Sequence, residues 1–184
     1  MVPSEAARDD DDVTLLVRAG EPRDASRIAA IGRRAWQRAY EHIFSTEFLR
    51  QLETSAAVDE AVDRWGARLA ELPQSGQVVL VAEDDGEVVG WVYVAPAAAS
   101  GVLEVVGLYV DPSRWGDLVG TTLLQEGIAA ARQAGDEQLV LWALADNARA
   151  RRFYEVRGWT TDGARRDRDF GGETAVEVRY RYRG

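Results

Sequence analysis

Three residue types that carry much of enzyme chemistry are absent or nearly absent from this 184-residue chain, which has no cysteine, no lysine and one histidine, His42. Without cysteine there is no disulfide, no thiol nucleophile and no thiolate metal site. Without lysine there is no Schiff base and no phosphate-loop ammonium. A single histidine leaves any serine–histidine machinery to His42 alone and rules out a histidine metal cluster, so no metal is expected. Long hydrophobic runs are missing too: none approaches the roughly 18–20 residues that span a bilayer. The N-terminus lacks the apolar centre of a signal peptide and carries Asp9 to Asp12 instead, so residues 1–12 read as a disordered acidic tail and the chain as cytoplasmic.

What remains is a chemistry of carboxylates, phenols, arginines and backbone groups, in a chain long enough for one domain, 13–184. The formal charge of −9 and a pI near 4.7 argue against nucleic-acid or anionic-membrane partners. The charge is uneven. Residues 1–148 hold 12 Arg against 25 acids, whereas residues 149–184 hold 10 Arg against 6. A basic segment on an acidic body suits a small anionic ligand, although arginines coating a solvated helix and strand fit equally well.

Periodicity gives an alternating α/β order. Val13–Arg18, Gln77–Glu83, Val88–Ala95, Val102–Val110, Leu139–Leu144, a strand from Trp159 and a last one through Val176, Val178, Tyr180 and Tyr182 read as strands. Helices are expected after Pro22, at Thr46–Glu53, from Val58 to a stop at Pro73, from Val119 to near Gly135, and from Asn147 to Val156 with Gly158 as C-cap. Asp85-Gly86 marks a hairpin. The result is a mixed sheet of six to seven strands flanked by about four helices, with no repeat or linker.

The segment from Leu108 to Leu124 runs from strand through Asp111-Pro112 and a loop holding Gly116 and Gly120 into a helix. Such a junction presents unpaired amides at a positive dipole end, which suits a phosphate, but two glycines in a loop are equally an ordinary turn. The next unit is more specific: a strand, then Asn147-x-x-Ala150-x-x-Phe153-Tyr154-x-x-x-Gly158-Trp159. With Trp for the usual Phe at its end, this stretch resembles the signature of the GNAT N-acetyltransferase superfamily, in its small bacterial branch. The resemblance in element order extends from Val13 to Arg183.

The resemblance implies a GNAT fold in which the fourth and fifth strands splay apart and acetyl-coenzyme A enters the gap. The backbone of Leu108, Tyr109 and Val110 is then expected to pair with the pantetheine arm. Trp115, Gly116, Asp117, Leu118, Val119, Gly120 and Thr121 would wrap the pyrophosphate, and Asn147 would hydrogen-bond the cofactor. Arg149, Arg151 and Arg152 would reach its ribose phosphate. Tyr154 would sit at the sulfur and protonate the departing thiolate. Glu104, an even six residues before Val110 and so expected on the same strand face, is the candidate base, acting through water. The loop departs from the family pattern: Leu118 replaces a glycine and is expected to crowd the pyrophosphate, and Asp117 to repel it, with Arg114 one position away from the usual basic site.

Trp36, Tyr40, His42 and Phe44 before the second helix, and Arg165, Arg166, Arg168 and Phe170 near the last hairpin, are the expected acceptor-side residues. The acidic body favours a cationic amine and the arginines favour a carboxylate, and both stay open. The leading function is acetyl transfer to a primary amine of a small molecule or peptide by direct attack. The alternatives are a GNAT-fold binding module with weakened cofactor affinity and an acyltransferase using another donor. Monomer and homodimer are both compatible with the sequence.

Overall fold

The computed structural model describes residues 15–97, 101–133 and 138–182. Seven strands form one sheet in the order β1-β2-β3-β4-β5-β7-β6. They are β1 (Leu16–Ala19), β2 (Val78–Asp84), β3 (Glu87–Pro96), β4 (Val102–Val110), β5 (Gln138–Leu144), β6 (Trp159–Asp169) and β7 (Thr174–Tyr182). Neighbours pair antiparallel except β4 and β5, which run parallel. Five α-helices cover the faces: α1 (Ala25–Tyr40), α2 (Thr46–Gln51), α3 (Ser55–Ser75), α4 (Val119–Gln133) and α5 (Ala148–Glu155). The acidic tail expected at 1–12 lies outside the described residues. No helix among the described residues is long and apolar enough to cross a membrane.

Local chemistry sets most boundaries. Pro22 opens a short 3-10 turn into α1, Ser45 caps α2 through the Phe48 amide, and Thr54 caps α3 through the Ala57 amide. Asp85 and Gly86, both at positive φ, make the tight turn between β2 and β3. The helix expected to stop at Pro73 continues to Ser75. Gly76 at φ 66° ends the helix instead.

Two core layers sandwich the sheet. On one side α4 buries Leu123, Leu124, Ile128 and Ala131 against β3, β4, β5 and β7; on the other, Ile28 and Ile31 of α1 and Leu69 of α3 pack on Val79, Val81 and Trp91. Helix α4 lies very close to β3 at Gly90, where a Cβ would stand 2.9 Å from Leu123 Cδ1 and 3.1 Å from the Tyr109 carbonyl. A third cluster of Phe44, Phe48, Leu49 and Leu144 seats α2 against the far end of the sheet.

Two irregularities in β4 set the direction of its side chains and free one of its edges. Its pairing with β5 covers only Val102–Val105 against Gln138–Leu141, after which the strands part. A bulge also leaves Val106 without an opposite residue, since Tyr93 faces Gly107 and Val94 faces Val105. The extra residue reverses the alternation. Leu103 and Val105 share the α4 side with Leu108 and Val110, while Tyr109 turns to the α1 side. Glu104 and Val110 therefore lie on opposite faces, contrary to the even-spacing expectation.

Candidate active site

Where β4 and β5 separate, a cavity of about 660 Å³ opens between them. One wall is β4 from Val105 to Val110, the other is Trp142–Leu144 and the start of α5; α1 closes one end and the loop before α4 the other. The Asp111 amide bonds to the Val89 carbonyl at 2.8 Å, so antiparallel alternation commits the Tyr109 backbone to β3 as well. The amides and carbonyls of Leu108 and Val110 thus turn into the gap, and Tyr109 contributes its ring instead. The Val110 carbonyl accepts from Trp115 Nε1 at 2.9 Å.

The loop is arranged differently from the expectation. Leu118 is 73% exposed and is not among the cavity-lining residues, so its side chain leaves the gap free. The Asp117 carboxylate receives Arg114 Nε at 2.8 Å, and the other end of that guanidinium is bonded to Asp84. Asp117 is therefore neutralised, and the Arg114 guanidinium is shared between two carboxylates. Gly116 takes φ 106°, a conformation that strains residues with a side chain. Val119 is buried in the core, and the first intrahelical bond of α4 runs from the Thr122 amide to the Leu118 carbonyl. The amides of Val119, Gly120 and Thr121 precede it and form a positive end at the cavity rim.

The basic groups there come from α1, α5 and the turn that follows α5. Arg157, which sequence reasoning passed over, donates to Thr121 Oγ1 from Nε at 3.2 Å and Nη2 at 2.6 Å, and lies 3.8 Å over the Phe153 ring. Arg149 stacks on Trp115 at 3.9 Å; burial and the neighbouring Arg38 hold its pKa below the usual arginine value. Arg152 points to solvent outside the cavity, and Arg151 is spent on the Tyr180 hydroxyl and the Ala145 carbonyl.

Deeper in, Asn147 is only 7% exposed, and its Oδ1 caps α5 through the Ala150 amide at 3.0 Å. Tyr40, Tyr109 and Tyr154 crowd together here. Burial, and for Tyr40 and Tyr154 the neighbouring Tyr109, raises their pKa values, so all three are neutral phenols at physiological pH. The Tyr154 hydroxyl has no hydrogen-bond partner among the described residues and lines the cavity.

On the acceptor side, Trp36, Tyr40 and His42 line the cavity, as do Trp142, Arg168 and Phe170. Phe44 does not: it is buried among Trp36, Phe48 and Phe170 as part of the α2 core. Arg166 is also displaced from the lining, stacked 4.2 Å over Trp142 and paired with buried Glu177 at 2.6 Å. Arg165 is exposed and outside the cavity. Arg168 reaches Glu177 only at 3.4 Å and remains half exposed. Glu104 lies below the fork, outside the cavity lining, with no ion pair among the described residues. Burial raises its pKa, Arg166 and Arg168 oppose the rise, and Glu177 adds to it. Among the described residues no group of three or more His, Asp or Glu is placed to hold a metal ion.

A family model, the acetyltransferase (GNAT) family, matches residues 36–159, from Trp36 on α1 to Trp159 at the start of β6. The chain belongs to the GNAT acetyltransferase family. The GNAT assignment agrees with solved structures. PaiA N-acetyltransferase from Thermoplasma acidophilum, crystallised with coenzyme A, superposes with a TM-score of 0.71 at 20% identity, covering 89% of this chain and 98% of that one. A GCN5-related N-acetyltransferase from Rhodopseudomonas palustris gives 0.72 at 27% identity, covering 92% and 95%. In sequence, the mycothiol acetyltransferase of Sanguibacter keddieii is 38% identical over 99 residues, 51% of this chain. The match spans only 31% of that relative's length.

Proposed function

We propose that this GNAT protein transfers an acetyl group from acetyl-coenzyme A to a primary amine by direct attack. The observation that carries the proposal is the fork itself: strand edges with outward-facing peptide groups, and a Tyr154 hydroxyl between them with no hydrogen-bond partner among the described residues. A pantetheine arm is amide-rich and extended, so the peptide groups of Leu108 and the amide of Val110 suit it as an added strand would. The α4 amide end and Arg157 suit the phosphates, with Arg149 and Arg38 at the mouth. Bound there, acetyl-coenzyme A supplies an activated acetyl group and a thiolate leaving group.

The remaining work falls to this chain's residues. An alkylammonium with a pKa of about 10 must lose a proton before it attacks. Glu104, with its raised pKa and no ion pair, is the base that suits this, and its place below the fork makes water the carrier. Tyr154 gives its phenolic proton to the sulfur as the C–S bond breaks. Trp36, Tyr40, His42, Trp142 and Arg168 border the acceptor. Two loop residues had favoured a binding module without activity. With Asp117 paired to Arg114 and Leu118 in solvent, neither obstructs the cofactor.

The test is thiol release from acetyl-coenzyme A across a panel of primary amines. At least one amine should support turnover, and Tyr154→Phe should lower kcat by about 100-fold or more while leaving acetyl-coenzyme A affinity within about threefold. An unchanged kcat removes Tyr154 as the acid.

A further inference from the structure

The phenol cluster holds a directional network that the acid and base roles leave unused. Trp36 Nε1 donates to the Tyr109 hydroxyl oxygen at 2.9 Å, and an indole N–H can only donate. The Tyr109 oxygen is therefore an acceptor toward Trp36, and its own hydrogen is left to be donated elsewhere.

The open direction is the cavity, which Tyr109 lines together with Tyr154. Resting on the reading of this cavity as the acetyl-coenzyme A site, we propose that the Tyr109 hydroxyl donates a hydrogen bond to the carbonyl oxygen of the bound thioester. The chemistry selects that atom. The attacking amine has protons to lose and needs an acceptor, whereas the carbonyl oxygen can only accept. As the nitrogen bonds to the carbonyl carbon, an electron pair moves onto that oxygen. It returns as the C–S bond breaks, the sulfur takes the Tyr154 proton, and the proton lost by the amine goes to Glu104 or water. Tyr109 stabilises the oxygen while it carries the charge. The Trp36 N–H feeding Tyr109 polarises its O–H, and the low-dielectric site strengthens the bond.

The bulge makes this possible. Uninterrupted alternation would place Tyr109 with Leu103 and Val105 on the α4 side; the extra residue at Val106 turns its ring to Trp36 and Tyr40. Tyr109 also packs on Trp91 at 4.9 Å, which holds the ring independently of the hydroxyl.

Infrared difference spectra of acetyl-coenzyme A labelled with 13C at the carbonyl, bound to the full chain without acceptor, test the contact directly. The bound carbonyl band should lie below that of free ligand in the unmodified protein and return toward it in Tyr109→Phe. Trp36→Phe, which removes the indole donor to Tyr109, should give an intermediate shift and serves if Tyr109→Phe fails to fold. Tyr109→Phe should also lower kcat by about 100-fold with the KM for acetyl-coenzyme A little changed. Calorimetry on the same samples separates two failures. Binding with identical bands in all proteins overturns the Tyr109 assignment alone, whereas absence of binding to the unmodified protein overturns the cofactor reading and this assignment with it.

Discussion

Replacing Arg157 with glutamine is expected to weaken acetyl-coenzyme A binding by about 10- to 100-fold and to do so through the phosphates alone. Nε and Nη2 of this guanidinium bond to Thr121 Oγ1, Nη1 donates to the Phe153 carbonyl at 2.8 Å, and the group lies flat on the Phe153 ring. Those bonds use three of its five N–H groups and fix it beside the first amides of α4. Two donors stay free for an anion without further ordering. A hydrogen bond to a charged group contributes about 1.5–3 kcal/mol, equivalent to about 10- to 150-fold in affinity. Paired titrations with acetyl-coenzyme A and with S-acetylpantetheine, which lacks phosphate, separate charge recognition from general damage to the site. The loss should appear only with the phosphorylated ligand and shrink as salt rises. Equal losses for both ligands, or no loss for either, would refute the reasoning. Arg152→Gln is the matched comparison and should change affinity less than about twofold, because that side chain points to solvent outside the cavity.

Leu118→Gly should leave cofactor affinity within about twofold, since an exposed side chain clears no space when removed; a large gain in titration would show that it crowds the ligand after all. Gly90→Ala places a methyl 2.9 Å from Leu123 and 3.1 Å from the Tyr109 carbonyl, so overpacking should cost about 1–3 kcal/mol. The melting temperature should then fall by about 2–4 °C per kcal/mol in a thermal scan, and an unchanged value would mean that α4 yields freely. If Glu104 is the base, kcat/KM rises with pH through its pKa, which burial lifts above the ordinary carboxylate value and Arg166 and Arg168 pull back. Arg168→Gln removes one of those opposing charges, so the acid limb of the pH profile should move to higher pH; Glu104→Gln should abolish the limb.

The parts of this fold that were legible in the sequence are those written in local chemistry. Asn147, Phe153, Tyr154 and Gly158 announce a capped, amphipathic α5, and Asp85-Gly86 announces its hairpin. The alternation of Val176, Val178, Tyr180 and Tyr182 with Glu177, Arg179 and Arg181 separates the α4 face of β7 from its charged face. The bulge at Val106 has no such mark, because an extra residue in a strand of Val-Val-Gly is chosen by pairing with β3. That one residue undid the expected alignment of Glu104 with Val110 and turned Tyr109 toward Trp36. Asp117 read as a repulsive charge because its partners, Arg114 and through it Asp84, meet only in three dimensions. Arg157 was overlooked for the same reason: its anchor is Thr121, 36 residues earlier. Arg152 and Phe44 erred the other way, since residue type suggested a ligand contact and orientation placed one in solvent and the other in the α2 core.

The central claim is that the fork between β4 and β5 holds acetyl-coenzyme A, and calorimetric titration of the full chain with that ligand tests it most directly. Binding should be saturable at one site per chain, weakened by Arg157→Gln and retained in Tyr154→Phe. No detectable binding with ligand up to about 1 mM, where even an association of about −4 kcal/mol would register, would contradict it.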